Sequence, residues 1–179
     1  LTQLQTSLQK QIERLGTHIF KEGARVLDAS FSYTDNFHSV KLTSLFDGIA
    51  VDDYIEQFVG KRLRGETSGV EAEVIAYTKS TDIDPPTLFI SYTQSGFDKT
   101  TDVFQDAERL IAPSESVYTF LAEEASLSTA AVGCANIGAS TAIEAGVYYS
   151  LGHFVYVPAQ RIIISKYSNT PNARVGLKV

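Results

Sequence analysis

In the first 23 residues, "LTQLQTSLQKQIERLGTHIFKEG", apolar residues repeat with the period of a helix, and this repeat ends abruptly. Apolar residues recur from Leu1 to Ile19 at spacings of three, four, four, three and four. These spacings average about 3.6 residues, the repeat of an α-helix, so a single apolar stripe runs along one face. We call its positions after Leu1 the helix stripe, which consists of Leu4, Leu8, Ile12, Leu15 and Ile19.

Three details refine this predicted helix. The second spacing of four departs from a heptad and resembles an eleven-residue repeat, which favours a straight or slightly right-handed arrangement over a long left-handed coiled coil. Gly16 weakens a helix, so it indicates a close approach or a local break. Gly23 is the better stop signal. The helix is expected to pack on its own domain or on copies of itself.

From residue 24 the pattern changes to short segments rich in β-branched and aromatic residues, separated by turn formers. We predict strands in "ARVLDASFSYT" and "HSVKLTSL", with a turn near "TDN". "VDDYIEQFVG" is predicted to form a short helix, because Asp52 or Asp53 is suited to capping it. Residues 24–59 therefore form a β-rich connecting segment.

Residues 60–113 read as a small β-barrel module. A glycine-serine-glycine turn lies between two strands of "KRLRGETSGVEAEVIAYTKS", and alternate residues from Val70 to Ala76 are apolar. "TLFISYTQSG" predicts a further strand, and "FQDAERLIA" closes the unit. Several short strands with tight turns and little helix are typical of a small barrel.

Residues 114–179 are predicted to form an antiparallel β-array for assembly. The alanine- and serine-rich stretch from Glu123 suits close backbone packing, and "SNTPN" is a turn between two strands. "GVYYSLGHFVYVPAQ", residues 146–160, is apolar on both faces, so we read it as a strand buried on both faces. Together these patterns predict an α+β fold, mainly β with an N-terminal α-helix.

Composition excludes several classes of function. A formal charge of −6 argues against a general nucleic-acid surface, because phosphate binding needs concentrated positive charge. Cys134 is the only cysteine, which excludes an intrachain disulfide and disfavours a thiolate zinc site. No apolar run approaches the roughly 20 residues of a membrane span, so we expect no membrane insertion and synthesis as a soluble intracellular chain.

The two ends of the sequence suggest a fragment. The chain begins inside the predicted helix, contains no methionine and stops on the strand-like run "RVGLKV". We expect an internal piece of a longer polypeptide, with the last domain continuing beyond it.

The first block, "LTQLQTSLQKQIERLGTHIFKEG", and the later block "GVYYSLGHFVYVPAQRIIISKYSNTPNARVGL" together resemble a family of tailed-phage structural proteins. This family is a domain of unknown function in large virion proteins of contractile-tailed phages, including those infecting cyanobacteria. The resemblance implies a location in the virion, after synthesis in the host cytoplasm, in the baseplate or tail-fibre attachment region. It implies no catalytic residue.

The middle module is similar to a small β-barrel repeat found in many phage tail and fibre proteins. Its Gly-x-Thr-Ser-Gly turn is matched by Gly65, Thr67, Ser68 and Gly69. The sequence departs from the repeat at Ala107, where glycine is common.

The residues considered for catalysis or metal binding are better explained by structural roles. His153 has no acidic residue closer in sequence than Glu144, so we interpret it as a hydrogen-bonded packing residue. His18 and His38 show no metal-ligand spacing with it, and Cys134 is expected to be a small buried apolar residue.

The acidic clusters also lack the partners that chemistry requires. Asp82 and Asp84 lack the rest of a calcium loop, and Asp52, Asp53 and Glu56 lack the second half of a glycosidase site. We therefore predict no enzyme, no cofactor and no metal.

The predicted function is a structural virion component that acts by protein–protein assembly. Its partners are other phage tail or baseplate proteins and copies of itself, with a homo-oligomer expected and a trimer favoured. The predicted contact residues are the helix stripe (Leu4, Leu8, Ile12, Leu15 and Ile19) and the strand residues Tyr148, Phe154 and Tyr156. The alternative is a receptor-binding tail-fibre module whose aromatic residues stack on host-surface glycans. A polysaccharide-degrading tail enzyme is a third reading, which would need a paired carboxylate in a groove.

Overall fold

The computed structural model describes residues 2–112 and 127–178. The predicted boundary between residues 113 and 114, and the first residues of the alanine- and serine-rich stretch, lie outside this part of the chain. The fold is mainly β with one N-terminal helix, which confirms the predicted α+β class.

Helix α1 spans Thr2–Ile19. The first strands are β1 Arg25–Asp28, β2 Phe31–Lys41, β3 Leu45–Phe46, β4 Ile49–Ala50, β5 Arg62–Gly65, β6 Glu71–Thr78 and β7 Thr87–Gln94. They are followed by β8 Arg109–Ile111, β9 Leu127–Ser128, β10 Ala135–Ile143, β11 Gly146–Ser150, β12 His153–Val157 and β13 Gln160–Ser165. The short helix predicted in "VDDYIEQFVG" is present as two 3-10 turns, Val51–Asp53 and Ile55–Phe58.

The strands form three sheets. The largest has the order β13-β10-β2-β7-β6-β5-β8-β9, and β1-β11-β12 and β3-β4 form the two small ones. The large sheet curls into a half-barrel. An isolated antiparallel bridge pairs Leu42, which follows β2, with Thr129, which follows β9. The part of the sheet from β2 to β9 therefore curls far enough for its two ends to meet. The barrel-like sheet thus draws strands from both sides of the segment 60–113.

Contacts divide the chain into two compact units. We call Leu1–Thr34, Ser140–Ile164 and Asn172–Val179 the helix unit, and Asp35–Ala139 with Ser165–Pro171 the barrel unit. Strands β2, β10 and β13 each contribute residues to both.

The hydrophobic core belongs to the barrel unit. Strand β7 lies at the centre of this core. Its four consecutive residues from Thr87 to Ile90 are buried, so this part of the strand is covered on both faces. In β6 the predicted alternation buries Ala72 and Val74. The largest fully buried members of the core cluster are Leu42, Ile55, Leu63, Leu88, Ile90, Leu110 and Leu127.

Two predicted breaks lie elsewhere in the structure. The turn predicted near "TDN" was wrong, because β2 runs unbroken through it. The chain turns earlier instead, at Asp28 and Ala29, whose φ values of 47° and 54° place both in the left-handed region. Helix α1 ends at Ile19, four residues before the predicted stop at Gly23.

Two predicted strands were also wrong. "GVYYSLGHFVYVPAQ" is not one strand buried on both faces but a hairpin of β11 and β12, in which four of the five β12 residues are exposed. The run "RVGLKV" forms no strand over its described residues, 174–178.

Candidate functional site

Helix α1 docks on its own chain mainly against the side chain of Tyr149 in β11. Its hydroxyl donates a hydrogen bond to the carbonyl of Glu13 at 3.1 Å, and it lies 2.9 Å from Thr17 Oγ1. The ring lies against Gly16, where an added Cβ would meet it at 2.9 Å from Cζ. The close approach predicted at Gly16 is therefore confirmed, because only a residue without a side chain lets the ring reach the helix.

Three aromatic rings extend this contact past the end of the helix. Phe20 packs edge-on against Phe154 at a centroid distance of 5.7 Å, and it lies 5.8 Å from the ring of Tyr149. Tyr149 and Phe154 complete the trio at 5.5 Å. Edge-to-face pairs of this kind add about 0.5 to 1.5 kcal/mol beyond the area they bury.

The hairpin turn between β11 and β12 is tied to the same end of the helix. Leu151 and Gly152 are the two turn residues, and their φ values of 48° and 82° are the positive pair that a type I′ turn requires. The Glu22 carboxylate accepts hydrogen bonds from Ser150 Oγ at 2.7 Å and from the Leu151 backbone N–H at 3.0 Å. The turn is thereby held beside the residues that follow α1.

The helix stripe lies on another side of the helix. At about 100° of rotation per residue, the five stripe positions fall within an arc of about 80°. The residues that contact the hairpin, Glu13, Gly16, Thr17 and Phe20, centre about 130° away from it. Within the described residues, the helix thus meets the hairpin at the small and polar positions Glu13, Gly16 and Thr17, and its apolar stripe lies on a different side.

Exposure agrees with this geometry. Side chains of the helix stripe are 50% to 67% exposed, although an amphipathic helix normally buries such residues. Among the predicted strand contacts, Phe154 and Tyr156 are also exposed, and Tyr148 is half-buried with its hydroxyl 3.4 Å from the Ala29 carbonyl. All eight residues belong to the helix unit. Their contact with partners stays a prediction.

Tyr149 and Glu22, which hold the helix and the hairpin together, were not predicted from the sequence. The dipeptide Leu151-Gly152 was the available signal, since a glycine at the second turn position between two apolar runs is typical of a two-residue hairpin. A hairpin assigned there would have placed β12 at the sheet edge.

The histidines are dispersed. His153, predicted as a packed residue, is instead exposed on β12, an edge strand of its sheet. His38 packs edge-on against Tyr92 at 5.1 Å. In the described ranges no three His, Cys, Asp or Glu side chains are placed to share a metal ion.

The carboxylates considered as catalytic or calcium-binding residues make structural contacts instead. Asp52 accepts hydrogen bonds from the backbone N–H of Ser80, at 2.9 Å, and from its hydroxyl. Glu56 accepts one from Tyr77 Oη at 3.2 Å. Asp84 forms an ion pair with Lys166 at 3.1 Å.

Cys134 is buried, as predicted. Burial raises the pKa of its thiol to about 12, and the neighbouring Asp106 carboxylate contributes in the same direction. Asp106 accepts hydrogen bonds from the backbone N–H groups of Cys134 and Gly133 at 2.8 and 3.0 Å, which hold the pKa of its carboxyl below its usual range. A thiol that stays protonated is a poor nucleophile.

The Gly-x-Thr-Ser-Gly turn is closed by a buried carboxylate. Glu108 is 2% exposed and accepts hydrogen bonds from the Thr67 and Ser68 backbone N–H groups, from Ser68 Oγ and from the Gln105 N–H. Ala107, where the similar repeats commonly have glycine, has a φ of 54°. Its left-handed backbone gives a physical reason for that glycine.

One groove of about 890 Å³ lies within the helix unit. Its walls carry both apolar and hydrogen-bonding side chains, among them Phe31, Ile143, Tyr148, Ile162, Glu22, Thr141 and Gln160. Residues 175–178 of the extended C-terminal segment form one border.

No family model matches the sequence, and no curated protein or solved structure matches it. Among the described residues, no helix is both long enough and apolar enough to cross a membrane.

Proposed function

We propose that this chain is a non-enzymatic structural component of a phage virion, in the baseplate or tail-fibre attachment region. It acts by assembling with copies of itself, as a trimer, and with other tail proteins. The virion setting comes from the resemblance of the two terminal blocks to tailed-phage proteins. The assembly role is supported by one structural observation, the exposed helix stripe that faces away from the chain's own contacts.

The physical argument rests on the apolar area that the helix stripe leaves exposed to solvent. Burying apolar surface stabilises a protein by roughly 25 cal/mol per Å², so five half-exposed aliphatic side chains along one helix leave a substantial stabilisation unused. Most of the stability of a protein helix comes from tertiary packing of an apolar face, and the hydrogen bonds described between α1 and the hairpin are made at Glu13 and Thr17 instead. A partner on the helix stripe would stabilise the helix as well as cover it.

Sedimentation of the full chain tests the assembly role. We expect a species of three times the 19.6 kDa chain mass at micromolar concentration. Leu8→Glu, which puts a charge at the centre of the helix stripe, should produce a monomer. Gln3→Glu adds the same charge about 140° away and should leave the trimer intact. A wild-type chain that stays monomeric throughout would overturn self-assembly.

Immunolabelling of purified particles tests the location. An antibody against the chain should mark the baseplate end of the tail, close to the fibre attachment sites. Labelling restricted to the capsid, or none on particles opened to expose the tail, would contradict the virion proposal.

Glycan binding is the second candidate function, and the groove beside Phe31 and Tyr148 favours it. Its volume lies in the range of small-molecule sites, and aromatic faces next to Glu22, Thr141 and Gln160 would suit stacking on a sugar and hydrogen bonding to its hydroxyls. A glycan array should then show binding that Phe31→Ala removes and Tyr33→Ala, outside the groove lining, preserves. No binding by the wild-type chain would exclude this candidate.

A further inference from the structure

The helix stripe needs an occupant, and three properties of the helix unit indicate which one. They are the charge of the positions beside the stripe, the area that the stripe can bury, and the uneven distribution of apolar surface along the helix.

The positions beside the helix stripe are almost without charge. One side carries Ser7, Gln11 and His18, and the other carries Gln5 and Gln9. In helix bundles the charges on these flanks set the choice of partner. Flanks without charge give no electrostatic complementarity to a charged partner and no like-charge repulsion between copies of this helix. Neutral flanks therefore suit copies of this chain better than an oppositely charged partner.

The area of the helix stripe is too small to hold an assembly by itself. Five half-exposed aliphatic side chains offer on the order of 300 Å² of apolar surface. A stable interface buries about 800 Å² on each partner. The additional surface has to come from neighbouring exposed apolar residues of the same unit.

Among the described residues, such surface lies beside the C-terminal end of the helix. Phe154 packs against Phe20, just past the end of α1, and Tyr156 on the same strand is 66% exposed. Leu151, at the tip of the hairpin, is 73% exposed. Parallel helices bring these hairpins together at one end of the assembly, whereas antiparallel helices separate them and set each beside the glutamine-rich start of its partner.

We infer that the occupant of the helix stripe is the same stripe of further copies of this chain, with the helices parallel and in register. The inference rests on the proposed assembly role and specifies its partner and geometry. Because the stripe repeats after eleven residues, the helices should run nearly straight alongside one another.

Disulfide trapping tests this geometry directly. Because Cys134 is buried with a thiol pKa raised to about 12, an engineered surface cysteine is the reactive thiol of the folded chain. A disulfide needs Cα atoms within about 7 Å, so same-residue bonds along the length of a helix form only when helices are parallel and in register. Leu8→Cys and Leu15→Cys lie two turns apart on the stripe, and Lys10→Cys on the opposite side is the control.

Under mild oxidation, Leu8→Cys and Leu15→Cys should each form a disulfide-linked dimer on a denaturing gel, at least tenfold more than Lys10→Cys does. An equimolar mixture of the two stripe variants distinguishes the orientations. Parallel helices give links between identical positions, whereas antiparallel helices give mainly the mixed link between positions 8 and 15, identified by mass spectrometry.

Predominance of the mixed link would overturn the parallel arrangement. No link above the control, in a chain that still sediments as an oligomer, would overturn the helix contact and leave the proposed assembly role standing. No link in a monomeric chain would overturn both.

Discussion

The barrel unit buries its large apolar side chains within its own chain, whereas the helix unit leaves most of its own in solvent. All 14 residues of the core cluster lie in the barrel unit. In the described helix unit, Tyr149 is the one large side chain that is fully buried. Both units come from similarly apolar sequence, so hydrophobic content alone does not form a core. The difference is that the barrel unit curls a sheet around its apolar face, while no residue described in the helix unit buries the helix stripe.

The same substitution in the two units should give the largest contrast. Leu88→Ala empties a fully buried site in the barrel unit and should lower the free energy of unfolding by about 2 to 5 kcal/mol. Leu8→Ala should change it by less than about 0.5 kcal/mol in dilute monomer, because its side chain is already in solvent. Urea unfolding at several protein concentrations measures both values. Equal losses in dilute solution would mean that the stripe packs within the chain.

Glu108→Gln tests how the barrel unit keeps its turn. A carboxylate that accepts four hydrogen bonds would be replaced by an amide that must turn a donor towards some of the same N–H groups, at a cost of about 2 to 3 kcal/mol. Glu66→Gln, on the exposed part of the same turn, serves as the matched control and should have little effect. Similar melting temperatures for the two variants would show that the buried carboxylate is unimportant.

Gly16→Ala tests the docking of the helix. The added methyl group meets the Tyr149 ring and should cost about 1 to 3 kcal/mol by overpacking. In a Tyr149→Ala background the same change should stabilise the chain by about 1 kcal/mol, because alanine favours helix more than glycine does. This double-mutant cycle is read from chemical unfolding. Stabilisation by Gly16→Ala in both backgrounds would argue against the contact.

Ala107→Gly is expected to stabilise the barrel unit slightly. Its φ of 54° strains a residue that has a Cβ, and relieving that strain should outweigh the extra backbone entropy of glycine by about 0.5 to 1 kcal/mol. Ala107→Val should destabilise, since β-branching worsens the same strain. Calorimetry measures both shifts, and a lower melting temperature for Ala107→Gly would contradict the assignment.

The smallest expected effect is a dependence of barrel-unit stability on acid. The pKa of Asp106 is lowered in the folded state by the Gly133 and Cys134 N–H groups, so its contribution is present above the unfolded aspartate pKa of about 4 and is lost as the pH falls through the folded value. Between pH 5 and pH 2, the free energy of unfolding should fall less steeply with decreasing pH for Asp106→Asn than for the wild-type chain. The Asp82→Asn variant, at an exposed turn, is the control.

The fold class was predictable because its signals are local. A 3.6-residue period in α1 and alternation in β6 each follow from one stretch of chain, and the structure confirms both. The predicted glycine-serine-glycine turn is also present, but its closing partner Glu108 is 40 residues further on. No local pattern connects the two positions.

The candidate site was predictable only in part. The helix stripe was visible in the sequence as an apolar face, but a pattern of this kind does not say what covers it. The hairpin was missed because its apolar residues were read as one strand without weighing Leu151-Gly152 as a turn. His153 was misplaced for the same reason, since a residue in a central strand is buried and one in an edge strand is exposed.

By itself, the sequence determined that this chain has a helix with one apolar face, followed by short strands separated by turn-forming residues. These properties depend on neighbours within a few positions and on the two backbone periods. Only the tertiary structure decided which face of the helix Tyr149 contacts, and that the helix stripe remains exposed. The reason is that docking depends on a contact between residues more than 130 positions apart, where the absence of a side chain at Gly16 counts for more than the apolar residues beside it.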